Sequence, residues 1–226
     1  MSYINRRRLE LPAEYNEETA DLFFKQIEMS KTKALEKFED GINEAKDRIL
    51  NNIRIEAIFE SYPIVKRDAE NIDLGDVSFE SEMLVKVLET SDEVILYVVS
   101  AFGYDDIEKS ESDMVKLLFL DGWGTSAIDY ADGLLEETIE EELEEQNLYT
   151  THSWSPGQHG VDIKLQAPLF ELLKPEETGV RLNQSFMMYP KKSISGIIGI
   201  GSDKDVSQIR ACDFCKLRDT CPSAYS

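Results

Sequence analysis

Six consecutive residues, Val94-Ile95-Leu96-Tyr97-Val98-Val99, constrain this chain more than any other stretch. The run is mostly β-branched and carries no charge. It predicts a central strand covered on both faces, because a half-exposed strand alternates apolar and polar residues. Such an alternation occurs earlier: Ile53, Ile55, Ala57 and Phe59 alternate with Arg54, Glu56 and Glu60 until Tyr62-Pro63 ends the pattern. The covering elements also read as helices. After Asn16, residues Ala20, Phe23, Phe24 and Ile27 share one face. From about Ser30 to Asn51, residues Leu35, Phe38, Ile42, Ala45 and Ile49 recur at steps of three and four. Ser81 to Leu88 reads as a further helix, and Leu74-Gly75-Asp76 as a turn. Asp105 to Leu120 and Thr125 to about Gln146 read as two helices separated by Gly122-Trp123-Gly124. The expectation is an α+β fold, an antiparallel or mixed sheet flanked by long helices. Within it, residues 1–52 form an N-terminal helical segment that begins with a docking arm, 53–205 form the body, and 206–226 form a cysteine-containing tail.

Charge narrows the function classes. With 45 acidic and 24 basic residues the formal charge is −21, which repels nucleic acid and anionic membrane surfaces alike. No run reaches the roughly 18 apolar residues that a membrane span needs, and no apolar signal core follows MSYINRRRLELP. A cytoplasmic compartment is expected. Between Tyr104 and Thr150 there are fifteen acidic and two basic residues. Asp129, Asp132, Glu136 and Glu140 form an acidic stripe at helical spacing, either a solvated face or a binding face. Glu140 to Glu145 place negative charge at a helix C-terminus, which the helix dipole disfavours.

The tail holds the chain's three cysteines, Cys212, Cys215 and Cys221, at C-x2-C-x5-C spacing. Thiolates this close in a reducing compartment favour a metal over a disulfide framework. Three ligands are one short of the four that close a zinc site or hold a cubane cluster. A 4Fe–4S cluster, a zinc ion and three plain thiols all remain open. The two histidines, His152 and His159, flank Pro156-Gly157 at no recognised metal spacing, and no nucleophile elbow or phosphate loop is present.

A set of landmarks between His152 and Gly201 carries a family resemblance: Pro156-Gly157, Phe170-Glu171-Leu172-Leu173, Thr178-Gly179, Ser185-Phe186, Met188-Tyr189-Pro190 and Ser193-Ile194-Ser195-Gly196. In this order and spacing they resemble the activation domain of cobalamin-dependent methionine synthase. The likeness extends back through Ser91 to Leu96, Phe119-Leu120-Asp121-Gly122 and Ala131-Asp132-Gly133-Leu134, covering roughly residues 50 to 201. It implies the activation-domain fold, S-adenosylmethionine as ligand, and a ligand cleft made by Glu136, Ser153, Gly157, Gln158, Ser195 and Gly196. The chain departs from the family's Arg-x-x-x-Gly-Tyr motif, with Ser153 in place of the arginine and Gln158 in place of the tyrosine. Serine supplies neither the charge nor the fork that binds a carboxylate. No tyrosine lies between Tyr189 and Tyr225, where the family uses one. The implied function is that of a standalone reactivation protein. It would dock on a corrinoid-binding methyltransferase or methionine synthase and support reductive remethylation of the partner's Co(II) cobalamin, with an electron-donor protein as a further partner. A docking module without the ligand, or an iron–sulfur electron relay through the tail, are the alternatives.

Overall fold

In this computed structural model the described residues are 2–204, 206, 209–214 and 218–219. In chain order, β1 (Arg7–Leu11) leads through α1 (Glu17–Gln26) and α2 (Lys31–Leu50) to β2 (Arg54–Pro63). Three short strands follow, β3 (Lys66–Arg67), β4 (Asn71–Asp73) and β5 (Ser78–Glu80), then α3 (Glu82–Val87) and β6 (Glu93–Phe102). Helices α4 (Tyr104–Lys109) and α5 (Met114–Glu144) return the chain to β7 (Tyr149–Thr150). A 3-10 turn at Ile163–Leu165 runs into α6 (Gln166–Leu173). After it, β8 (Arg181–Leu182) pairs with β9 (Met188–Tyr189), and β10 (Ser193–Gly201) completes the main sheet.

That sheet is antiparallel, in the order β1-β2-β6-β10-β7. The apolar run therefore occupies the middle, as its composition predicts, and every residue from Glu93 to Ala101 is buried. Its pleat divides the interior in two. Ile95, Tyr97, Val99 and Ala101 pack with α1, α2 and α5, whereas Val94, Leu96 and Val98 pack with Trp154 and the apolar residues of α3 and α6. The α+β architecture read from the sequence is the one observed.

Helix α5 differs from its expectation. It runs unbroken for 31 residues through Gly122-Trp123-Gly124, where two helices were expected. Those glycines serve close packing and not a break. A Cβ on Gly122 would lie 2.9 Å from Ile27 Cγ2, and one on Gly124 would lie 2.6 Å from Tyr104 Cε2. Trp123 between them stacks on Phe23 with ring centroids 4.1 Å apart and donates its indole N–H to the Ile42 carbonyl at 3.0 Å. The short α4 takes the first half of the expected first helix, and Asp113 caps α5 by accepting from the Val115 and Lys116 N–H groups.

The N-terminal residues dock through charge and one buried polar knot. Ser61 Oγ donates to Glu93 Oε2 at 2.6 Å and accepts from the Ile4 N–H at 2.9 Å, while the Tyr3 N–H donates to the same carboxylate. Arg6 donates to the Leu173 carbonyl, and Arg7 pairs with Glu142 near the acidic end of α5. That last pair offsets part of the unfavourable charge at this helix terminus.

Candidate functional site

The site is built around the one polar residue of the central run. Tyr97 lies opposite Gly196 in the β6–β10 register, and its side chain is fully buried on the α5 side. A buried phenol must find partners. Its hydroxyl lies 2.8 Å from Ser153 Oγ and within reach of two carboxylates of α5, Glu136 Oε1 at 3.2 Å and Asp132 Oδ2 at 3.4 Å. Asp132 and Glu136 are one helical turn apart, so α5 presents both to the same spot.

Neither carboxylate forms an ion pair among the described residues, and Asp132 Oδ1 is sealed from water without a hydrogen-bond partner. The electrostatic consequence is direct. Burial, then the charge of Glu136, push the Asp132 carboxyl up to about 8. Burial also raises Glu136, against the opposing hydrogen bonds from Tyr97 and Ser153. Burial and the two neighbouring acids raise the Tyr97 phenol, which stays protonated and donates. Near neutral pH this pair of acids carries less than its full charge. A cation arriving beside it would restore the missing part.

Across β10 from this cluster, on the other face of the sheet, lies a cavity of about 280 Å³. Its walls are Ser155 to Gln158, the end of β10 from Ser193 to Ser195, Ile163 and Gln166, and the Phe186 to Met188 turn, with Lys191 as its cation. Two segments, 153–158 and 193–196, thus contribute to both the cavity and the acid cluster. Gly157 has φ +94°, and a Cβ there would come within 2.9 Å of Ile163 Cδ1, so glycine is needed for conformation and for space. Its N–H donates to the Val161 carbonyl at 2.8 Å, which closes the loop around Gln158.

Of the residues expected from the sequence, Gly157, Gln158 and Ser195 line the cavity. Glu136, Ser153 and Gly196 meet at Tyr97 on the other face of the sheet. Ser153, standing where the family has arginine, is committed to the phenol. His152 and His159 are exposed. Of the tail cysteines, Cys212 lies in a 3-10 turn, Ala211–Phe214, whose Phe214 ring sits 6.3 Å from Trp154. Cys215 and Cys221 lie outside the described residues. Among the described residues no group of three or more metal-ligating side chains occurs.

Three participants escaped sequence reasoning. Tyr97 is the only hydroxyl within its apolar run, and that was the available signal. Asp132 reads from spacing as part of a stripe, and its closeness to Tyr97 beside Glu136 has no local signature. Gln166 opens an apolar helix with only 2% of its surface exposed, and its Nε2 donates to Ser195 Oγ at 2.7 Å.

Comparison with known proteins bears on the same residues. Residues 132–213 match the family model described as vitamin B12 dependent methionine synthase, activation domain. No curated protein matches the chain. Among solved structures, the crystal structure of the MetH reactivation domain bound to AdoHcy superposes with a TM-score of 0.68 at 16% identity, covering 93% of this chain and 83% of that one. The chain is thus similar to the activation-domain family of vitamin B12-dependent methionine synthase, by sequence over residues 132–213 and by fold over most of its length.

Proposed function

We propose that this chain supports reductive remethylation of a cobalamin carried by a partner methyltransferase, holding an S-adenosyl ligand beside Asp132 and Glu136. The observation that carries the reading is the pair of half-buried carboxylates, which have no cation partner among the described residues, and a cavity on the opposite face of β10 whose walls come from the two segments that also reach the pair. S-adenosylmethionine has a sulfonium and an ammonium, and both charges suit that pair. The related reactivation domain was solved with AdoHcy, which shares the adenosine and amino-acid ends. Tyr97 and Ser153 fix the Glu136 carboxylate, and the Gly157 loop walls the adenosine side. The partner's cobalamin would supply the methyl acceptor, and a separate electron-donor protein the electron. The three tail cysteines are proposed as metal ligands, for an iron–sulfur cluster or zinc. A sample purified without oxygen and lacking both metals would remove that part.

One observation favours a second reading, a docking module that has lost the ligand. Ser153 leaves the ligand's carboxylate without a guanidinium, and Lys191 on the cavity wall already pairs with Glu108. Calorimetry separates the two. Heat of binding with S-adenosylhomocysteine, reduced in a Glu136→Gln variant, supports the ligand-bound function. No heat at millimolar ligand supports the module.

A further inference from the structure

The wall of the cavity holds a residue with an unexplained buried polar atom. Gln166 is 2% exposed, lies on the cavity wall and spends its Nε2 on Ser195, yet its buried Oε1 has no partner among the described residues. Native folds rarely keep a buried carbonyl oxygen unpaired without a use for it. Ser195, also 2% exposed and on the same wall, accepts from Gln166, so its own hydroxyl proton is free to donate. The strand edge here is open as well. On that side β10 is paired only further along, at Ile197 with Trp154 and at Ile200 and Gly201 with β7, among the described residues. Acceptor and donor therefore stand next to each other at an unpaired edge. This arrangement complements a flat ligand that offers a donor beside an acceptor.

We propose that Gln166 and Ser195 are the base-reading pair of the cavity, specific for a 6-aminopurine. Gln166 Oε1 accepts from the exocyclic amine, and the Ser195 hydroxyl donates to the neighbouring ring nitrogen. An amide reads adenine by the same pairing of donor and acceptor elsewhere. A 6-oxopurine presents an oxygen where the amine would be, and two acceptors then face each other. The inference rests on the S-adenosyl reading above and adds the two side chains that select the base.

The test is a calorimetric titration of the full chain with S-adenosylhomocysteine and with its 6-oxo analogue, S-inosylhomocysteine. The amino compound is expected to bind about tenfold or more tightly. In a Gln166→Met variant that preference is expected to collapse, with the amino compound falling to the level of the oxo compound. Equal binding of the two by the unmodified protein overturns the base-reading pair and leaves the S-adenosyl site standing. Tighter binding of the oxo compound also overturns it, since the amide would then be presenting its N–H. Binding of neither overturns both readings. If Gln166→Met does not fold, the two ligands on the unmodified protein still decide.

Discussion

The ring of Tyr97 fills the space where any residue other than glycine at 196 would place its Cβ: that atom would sit 2.2 Å from Tyr97 Cε1 and 2.5 Å from Ser153 Oγ. The glycine is thus part of the phenol's seat. Gly196→Ala is expected to destabilise the fold by about 2–3 kcal/mol, since overpacking moves rigid neighbours. Gly133→Ala is the control: it lies on α5 with nothing within 4 Å of the added carbon, and should gain about 0.5–1 kcal/mol from helix propensity. Urea denaturation of both variants checks the pair.

Asp132 sets a pH dependence. Its folded-state pKa lies near 8, above the ordinary value of 3.8. Between these values the native state holds a proton that the unfolded chain has released, so stability falls as pH rises across that window. Asp132→Asn should be more stable than the unmodified protein at pH 8.5, by on the order of 1–3 kcal/mol. The difference should shrink towards pH 4. Denaturation curves at both ends measure it.

The same acid couples to ligand charge. A sulfonium ligand should bind more tightly as pH rises from 6 to 9, because Asp132 ionises in that interval. Asp132→Asn should flatten the trend, and Glu136→Gln should weaken binding throughout. A calorimetric series over pH, with S-adenosylmethionine against the uncharged-sulfur S-adenosylhomocysteine, reads both effects.

Restoring the family's arginine is informative. Ser153→Arg is expected to tighten S-adenosylhomocysteine more than plain adenosine, because only the former has a carboxylate for the guanidinium fork. A similar gain for both would place the arginine away from the amino-acid end.

The N-terminal arm depends on one hydroxyl. Ser61→Ala removes a donor to Glu93 and an acceptor for the Ile4 N–H, all at buried positions. A loss of about 1–3 kcal/mol is expected. Limited proteolysis near residue 12 should then cut faster.

Much of this architecture can be read from residue order. The run from Val94 to Val99 places the central strand because only a strand covered twice tolerates six such residues. Glu136 is singled out by the family resemblance alone, since its helical spacing makes it one of four acids on a stripe. What the chain hides is distance across the fold. Gly122 and Gly124 look like breakers in a helical pattern, and only the nearness of Phe23, Ile27 and Tyr104 shows that they admit neighbours. Ser153 reads as a lost arginine, and its bond to a phenol 56 positions earlier has no local signature. Gln166 looks like an ordinary first residue of a helix until its burial and its unpaired oxygen are known.

Ser195 and Gly196 are consecutive, yet one turns towards the cavity and the other towards the acid pair, because β10 is pleated. Slippage of β10 along β6 by a single position would swap their sides and dismantle both halves together. Registration of these two strands is therefore an all-or-none condition: mutational drift that disturbs it cannot leave half a site behind.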